Sequence, residues 1–281
     1  CQNVAAVLKE GQLNRVLLLT DGLANVGITD LEELGHHASQ LHSRGVSTST
    51  FGVGEGFNEY LLEQMANQGG GNFYFIEHPQ TIPQIFMREL KELAAVTARD
   101  VQITVEVPPQ VNIQVFGGWK HELNNGILTI CLGDLAACTQ REVYVKLLTP
   151  PQSEKEQLVI RADVKAIGES EYLYQEQEKI ILRYAPQTAV QTAPLQKEVI
   201  ERFGVVEVAE IAGEALRLER AGEKEKASRL LQQVVVSNAG SIPAPAAAFY
   251  RDLSERMKDG LSERDRKNSY QTSYTQRQRR G

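Results

Sequence analysis

Cysteine is scarce. The 281 residues hold three, Cys1, Cys131 and Cys138, too few and too scattered for a disulfide framework. Their odd number fits a reducing compartment, so the cytoplasm is the expected location; a Cys131–Cys138 pair stays open. An excess of positive charge is also missing. The net charge is −6, so no global basic field gathers nucleic acid. No apolar run approaches the ~18 residues that a membrane-spanning helix needs. The common signatures of catalysis and metal binding are absent as well: there is no Cys-x-x-Cys, His-Glu-x-x-His, Gly-x-Ser-x-Gly or Gly-x-x-x-x-Gly-Lys-[Ser/Thr]. No nucleophile stands with a plausible base beside it. These absences point to a binding protein that is not an enzyme and takes no small-molecule substrate.

What is present is an alternation of strand and helix. "RVLLL" (Arg15–Leu19) is a buried-strand run that stops at Thr20-Asp21-Gly22. A helix is predicted from about Asp30 to Ser43, with Asp30 as N-cap, Glu33 at the capping-box position and Gly45 ending it. "VSTSTFGVG" reads as a strand, about Glu59 to Gln68 as a helix, "NFYFI" as a strand. A closing helix buries Ile82, Ile85, Phe86, Leu90 and Leu93. Near-continuous apolar strands alternating with helices indicate a parallel sheet covered on both faces. From about Thr97 the period becomes two, with Val101, Ile103, Val105 and Val107, then Val111, Ile113 and Val115, and the series of strands suggests a β-sandwich. The expected division is an α/β part over 1–97, a β-sandwich over 98–185, a polar linker over 186–194, a helical hairpin over 195–258 with one more short helix after it up to about Met257, and a disordered basic tail over 259–281. Its residues 261–281 hold six basic residues against two acidic ones and show no apolar period. Interleaved Tyr270 and Tyr274 leave it a minor candidate for nucleic acid.

Asp21 is the candidate functional residue. Ligand chemistry gathers beyond the carboxyl ends of strands in open parallel sheets. Gly22 removes bulk beside it, and Thr20 adds a hard oxygen suited to Mg²⁺ or Ca²⁺, but a metal needs more than one carboxylate. The bland alternative is an Asp that caps its own turn. Gly52, Gly54 and Gly56 are spaced for a tight turn and not for a dinucleotide. His36, His37 and His42 have no zinc spacing and are assigned to a solvated helix face. Trp119 is assigned to a strand end covering the sandwich core.

"RVLLLTDGLANVG", followed in order by "VSTSTFGVGEGFNEYLLEQMANQGGGNFYFI" and a closing helix, resembles the second half of a von Willebrand factor type A domain. The resemblance covers residues 1 to about 97. It implies the C-terminal half of a doubly wound sheet, and a metal-ion-dependent adhesion site at which a divalent cation such as Mg²⁺ meets a protein partner's carboxylate. Asp21 matches the last ligand of that site. The Asp-x-Ser-x-Ser motif that supplies the others occurs nowhere in this chain. The chain therefore reads as N-terminally truncated: "CQNVAAVLKEGQLN" looks like a helix tail through Val4, Val7 and Leu8, the Arg15–Leu19 strand becomes a sheet edge, and the metal site is incomplete. The implied role is protein–protein interaction of the adhesion type, with a regulatory subunit docking to an ATPase- or chelatase-like enzyme as the alternative.

Overall fold

The computed structural model describes residues 13–154, 156–168 and 173–278. The helix tail expected around Val4–Leu8 lies outside them. The first half alternates as the pattern implies: β1 (Asn14–Thr20), α1 (Leu31–His42), β2 (Val46–Val53), α2 (Glu59–Gln68), β3 (Gly70–Ile76), a 3₁₀ turn (Pro79–Thr81) and α3 (Ile82–Ala94). The three strands form a parallel sheet in the order β1-β2-β3, β1 and β2 running in register from Asn14↔Val46 to Thr20↔Gly52. β2 is central and is buried from Val46 through Gly52. Among the described residues, β1 is paired on one side only.

The sheet is covered on both faces because side chains alternate along a strand. Thr50 Oγ1 donates to the carbonyl of Leu62 on α2 at 2.7 Å. Phe51, one residue on, packs on the other face with Tyr74, Ile76 and the α3 residues Ile82, Ile85 and Phe86. Its ring stacks 5.0 Å from Tyr74 and 4.6 Å from Phe86. Both α1 and α2 start on a side-chain cap: Asp30 Oδ1 accepts from the Glu33 N–H at 2.8 Å and Asn58 Oδ1 from the Leu61 N–H at 3.1 Å. Two positions differ from the expected pattern. Leu90 is 46% exposed, and the buried residue on that stripe of α3 is Glu89, at i+3 and i+4 from Phe86 and Ile85.

Seven antiparallel strands follow: β4 (Val96–Glu106), β5 (Asn112–Phe116), β6 (Lys120–Asn124), β7 (Ile127–Ala136), β8 (Tyr144–Leu148), β9 (Gln157–Gly168) and β10 (Leu173–Arg183). They fall into a five-stranded sheet, β10-β9-β4-β7-β6, and a two-stranded ladder, β5-β8. The β6–β7 hairpin turns on Asn125 and Gly126, both at positive φ (51° and 79°), the type I′ geometry for which Asn-Gly is suited. Trp119 is buried. Cys131 and Cys138 are both free thiols.

The C-terminal third is more helical than its sequence pattern indicates. The linker over 186–194 contains a short helix, α4 (Gln187–Thr192). Four further helices stand where a hairpin, one short helix and a tail are expected: α5 (Lys197–Arg220), α6 (Lys224–Ser237), α7 (Ala244–Asp259) and α8 (Glu263–Gln278). Helix α8 replaces the disordered tail. Its inner stripe is polar and aromatic, with Arg266, Lys267, Tyr270, Ser273, Tyr274 and Arg277 buried, so a search for apolar period passes over it. Arg266 Nε donates to Glu219 Oε2 of α5 at 2.7 Å, and Tyr250 of α7 donates to Gln276 at 2.6 Å. These burials also remove Arg266, Lys267 and Arg277 from any basic surface for nucleic acid.

The described residues divide into two compact units. One falls within Cys1–Val105, Trp119–Gln140 and Ala162–Glu178, the other within Glu106–Gly118, Arg141–Arg161 and Lys179–Gly281. The first carries the parallel sheet, and the second carries the β5–β8 ladder and α5 to α8.

Candidate functional site

β1 delivers Thr20, Asp21 and Gly22 to the C-terminal end of the parallel sheet. The Thr20 hydroxyl accepts from the Gly22 N–H and donates to the Gly22 carbonyl, both at 3.2 Å, so it closes a turn across Asp21. Asp21 is exposed. Gly22 faces open space, with nothing within 4 Å of an added Cβ; the crowding inferred for it belongs instead to Gly56. A Cβ on Gly56 would lie 2.4 Å from the Asp21 carbonyl oxygen. The glycine therefore lets the β2–α2 loop, with Glu55, sit against the Asp21 turn. Gly54 takes a left-handed φ of 68° in the same loop, as the tight-turn assignment requires.

The loop after Asp21 is apolar and open. Leu23, Val26 and Ile28 are 60%, 89% and 43% exposed. Behind it, a cavity of about 930 Å³ runs between β1, α1 and α2, lined by Val16, Leu18, Leu34, Leu41, Leu61 and Met65 among others. Among the described residues, no group of three or more His, Cys, Asp or Glu side chains could hold a metal ion. Asp21 stands as a single carboxylate, and the Thr20 oxygen is engaged in its turn. These residues by themselves do not fit Mg²⁺, which keeps its waters unless several hard ligands replace them.

A second polar centre lies on the opposite face of the same sheet and was missed in the sequence. Glu89 of α3 is fully buried. It accepts from Arg15 Nη1 at 2.8 Å, Asn72 Nδ2 at 2.8 Å and the Tyr74 hydroxyl at 2.7 Å, and also from Ser49 Oγ. Burial pushes its pKa up, but the Arg15 charge and the three neutral donors outweigh that and hold it below the usual carboxylate range. The same burial and the neighbouring Glu89 charge push the Tyr74 phenol far up. Every acceptor position is used and nothing is left open to a ligand, so this centre is structural. The one signal for it in the sequence is an acidic residue in the apolar stripe of an amphipathic helix.

His42 also departs from its assignment. It is half-buried at the end of α1, where a Cβ on Gly70 would come within 2.3 Å of its Nε2. Burial lowers its pKa, Asp100 and Asp134 act in the opposite sense, and Lys120 and Arg15 add to the lowering. His36 is exposed and His37 partly so.

No family model matches the chain. It is 34% identical over 101 residues to the uncharacterized protein YfbK of Escherichia coli K12, which takes in 36% of this chain and 18% of that protein. It is 26% identical over 291 aligned positions to the uncharacterized protein sll0103 of Synechocystis sp., 96% of this chain and 67% of that one. Among solved structures, a von Willebrand factor type A protein from Catenulispora acidiphila is similar with a TM-score of 0.61 at 16% identity, over 89% of this chain and 66% of its own. The ArnB paralog VWA2 from Sulfolobus acidocaldarius is similar with a TM-score of 0.56 at 18% identity, over 99% and 67%. The chain thus spans from under a fifth to about two thirds of these relatives.

Proposed function

We propose that this chain, which has the von Willebrand factor type A fold, is a non-enzymatic protein-interaction module that meets its partner with the loops at the C-terminal end of its parallel sheet. The observation that supports this is the loop after Asp21. It leaves Leu23, Val26 and Ile28 exposed within six residues of chain, at the end of the sheet where open α/β folds bind ligands. Large apolar side chains left exposed on one loop are a common mark of surface that a partner covers. A divalent-cation site completed by a partner's carboxylate is the finer form of this reading. It requires oxygen ligands from outside the described residues, because Asp21 does not fit the ion alone.

The test is affinity capture with the wild-type chain and with a Leu23→Ser/Val26→Ser variant whose circular dichroism is unchanged. The reading expects a protein held by the wild type and lost by the variant. Equal retention by both would overturn it. An ATPase activity in the captured partner would favour the regulatory-subunit alternative.

A further inference from the structure

Charge is unevenly placed in the first unit. Between Val16 and Met87 the sequence has eight acidic residues, and Arg44 is its only Lys or Arg. Topology gathers most of the acids at one end. Asp21 follows β1, Glu55 follows β2, and parallel strands finish at the same end of a sheet. Helix α1 runs back from that end, so its N-terminal Asp30, Glu32 and Glu33 lie there too. All five are exposed, and the packing of Gly56 against Asp21 brings the two loops together. Arg44 lies beyond the C-cap of α1, about 18 Å away at 1.5 Å per residue. The N-termini of α1 and α2 would otherwise favour an anion. Here they are occupied by Asp30 and Asn58, with Glu32, Glu33 and Glu59 in their first turns.

We propose that this end of the sheet docks a basic segment of a partner protein, Lys or Arg flanked by apolar side chains, directly on its carboxylates and without a bridging metal. The inference rests on the reading that this end is the binding face, and it deepens that reading by naming the partner's chemistry. Leu23, Val26 and Ile28 supply the apolar anchor. The five carboxylates supply a field of one sign, screened over ~8 Å at physiological salt. Such a field steers encounter and excludes acidic competitors more than it adds affinity. An acidic partner segment, or an anionic membrane surface, meets five like charges, with Arg44 the one Lys or Arg between Val16 and Met87.

Two fluorescent peptides of equal length and leucine content test this, one with Lys and one with Glu at every third position, titrated by anisotropy against the full chain. The Lys peptide is expected to bind at least about tenfold more tightly, equally in EDTA and in Mg²⁺, and to weaken as salt rises. Asp21→Asn with Glu55→Gln should weaken it roughly two- to fivefold per charge. Leu23→Ser with Val26→Ser should weaken it further. Glu201→Gln with Glu214→Gln, on the exposed face of α5, should leave binding unchanged. An equal loss in that last variant would reduce the effect to general attraction by an acidic protein and overturn the proposal. So would preference for the Glu peptide in Mg²⁺, which is the metal-bridged outcome. If capture of the natural partner depends on Leu23 and Val26 but the Lys peptide does not compete, this inference fails while the interaction reading stands.

Discussion

Nη1 of Arg15 lies 2.8 Å from Oε1 of Glu89, and the two side chains are 6% and 0% exposed. The pair ties β1 to α3 across 74 residues of chain. Arg15 Nε also donates to Ser47 Oγ at 2.9 Å, which fixes the guanidinium against β2. Losing Arg15 would leave Glu89 without its counter-charge in the core, and losing Glu89 would leave Arg15 only the longer contact of its Nη2 to Asp134 Oδ2 at 3.6 Å.

Arg15→Met and Glu89→Leu, made singly, are therefore expected to cost about 3–5 kcal/mol each. The double variant should recover part of that loss, because it leaves no unpaired member of the pair, although Ser49, Asn72 and Tyr74 lose the Glu89 acceptor. Urea unfolding of the four proteins closes the cycle. Additive losses would show that the pair is not coupled.

The pH dependence follows from the same centre. Glu89 has a folded pKa below its unfolded value, so the unfolded chain binds the proton first as acid is added. Its contribution is complete above the unfolded pKa of about 4.3 and is lost as pH falls through the lower folded value. His42, also lowered, acts in the same direction at higher pH, with stability declining as pH drops below about 6.5. Unfolding midpoints measured against pH should show both falls, and His42→Gln should remove the upper one.

Helix α8 should behave as part of the fold. Glu219 Oε1 accepts from the Leu261 N–H at 2.9 Å while its Oε2 takes Arg266 Nε at 2.7 Å, and Tyr274 is 4% exposed. Tyr274→Ala is expected to cost about 3–5 kcal/mol, as large-to-small changes at buried aromatics do. Limited proteolysis should leave residues 263–278 uncut in the wild type and cut them in the variant.

Gly56→Ala tests how the site loops approach each other. The new Cβ would meet the Asp21 carbonyl at 2.4 Å, so one loop must move, at a cost of about 1–3 kcal/mol. The shift should appear in the amide resonances of residues 20–23. Gly22→Ala, with open space around it, is the mild comparison.

Mg²⁺ titrated calorimetrically into this chain should give no binding in the low-micromolar range. A single carboxylate offers the ion too little in exchange for its waters. Low-micromolar affinity would mean that ligands outside the described residues complete the site.

The parallel half was legible because its signals are local. Apolar runs at Arg15–Leu19 and "VSTSTF" and the cap at Asp30 each follow from side chains a few residues apart. The position of Asp21 was legible for the same reason, since a strand end is marked by the residues on either side of it. Helix α8 was not, because its buried stripe is built from Arg266, Tyr270, Ser273 and Tyr274, and the burial of Arg266 is bearable only once Glu219 of α5 is in place to receive it.

The sequence by itself thus determined which segments are strands and helices in the first half, the order in which they alternate, and the carboxylate at the tip of β1. Tertiary structure alone decided that Glu89 is buried and satisfied, that His42 is half-buried, that Gly56 and not Gly22 makes room beside Asp21, and that five exposed acids share one end of a sheet. The physical reason is the range of the interactions. Backbone propensity and apolar period act within a turn or two of chain. The partners that make a buried charge tolerable, and the neighbours that turn scattered carboxylates into one field, come together only when distant segments pack.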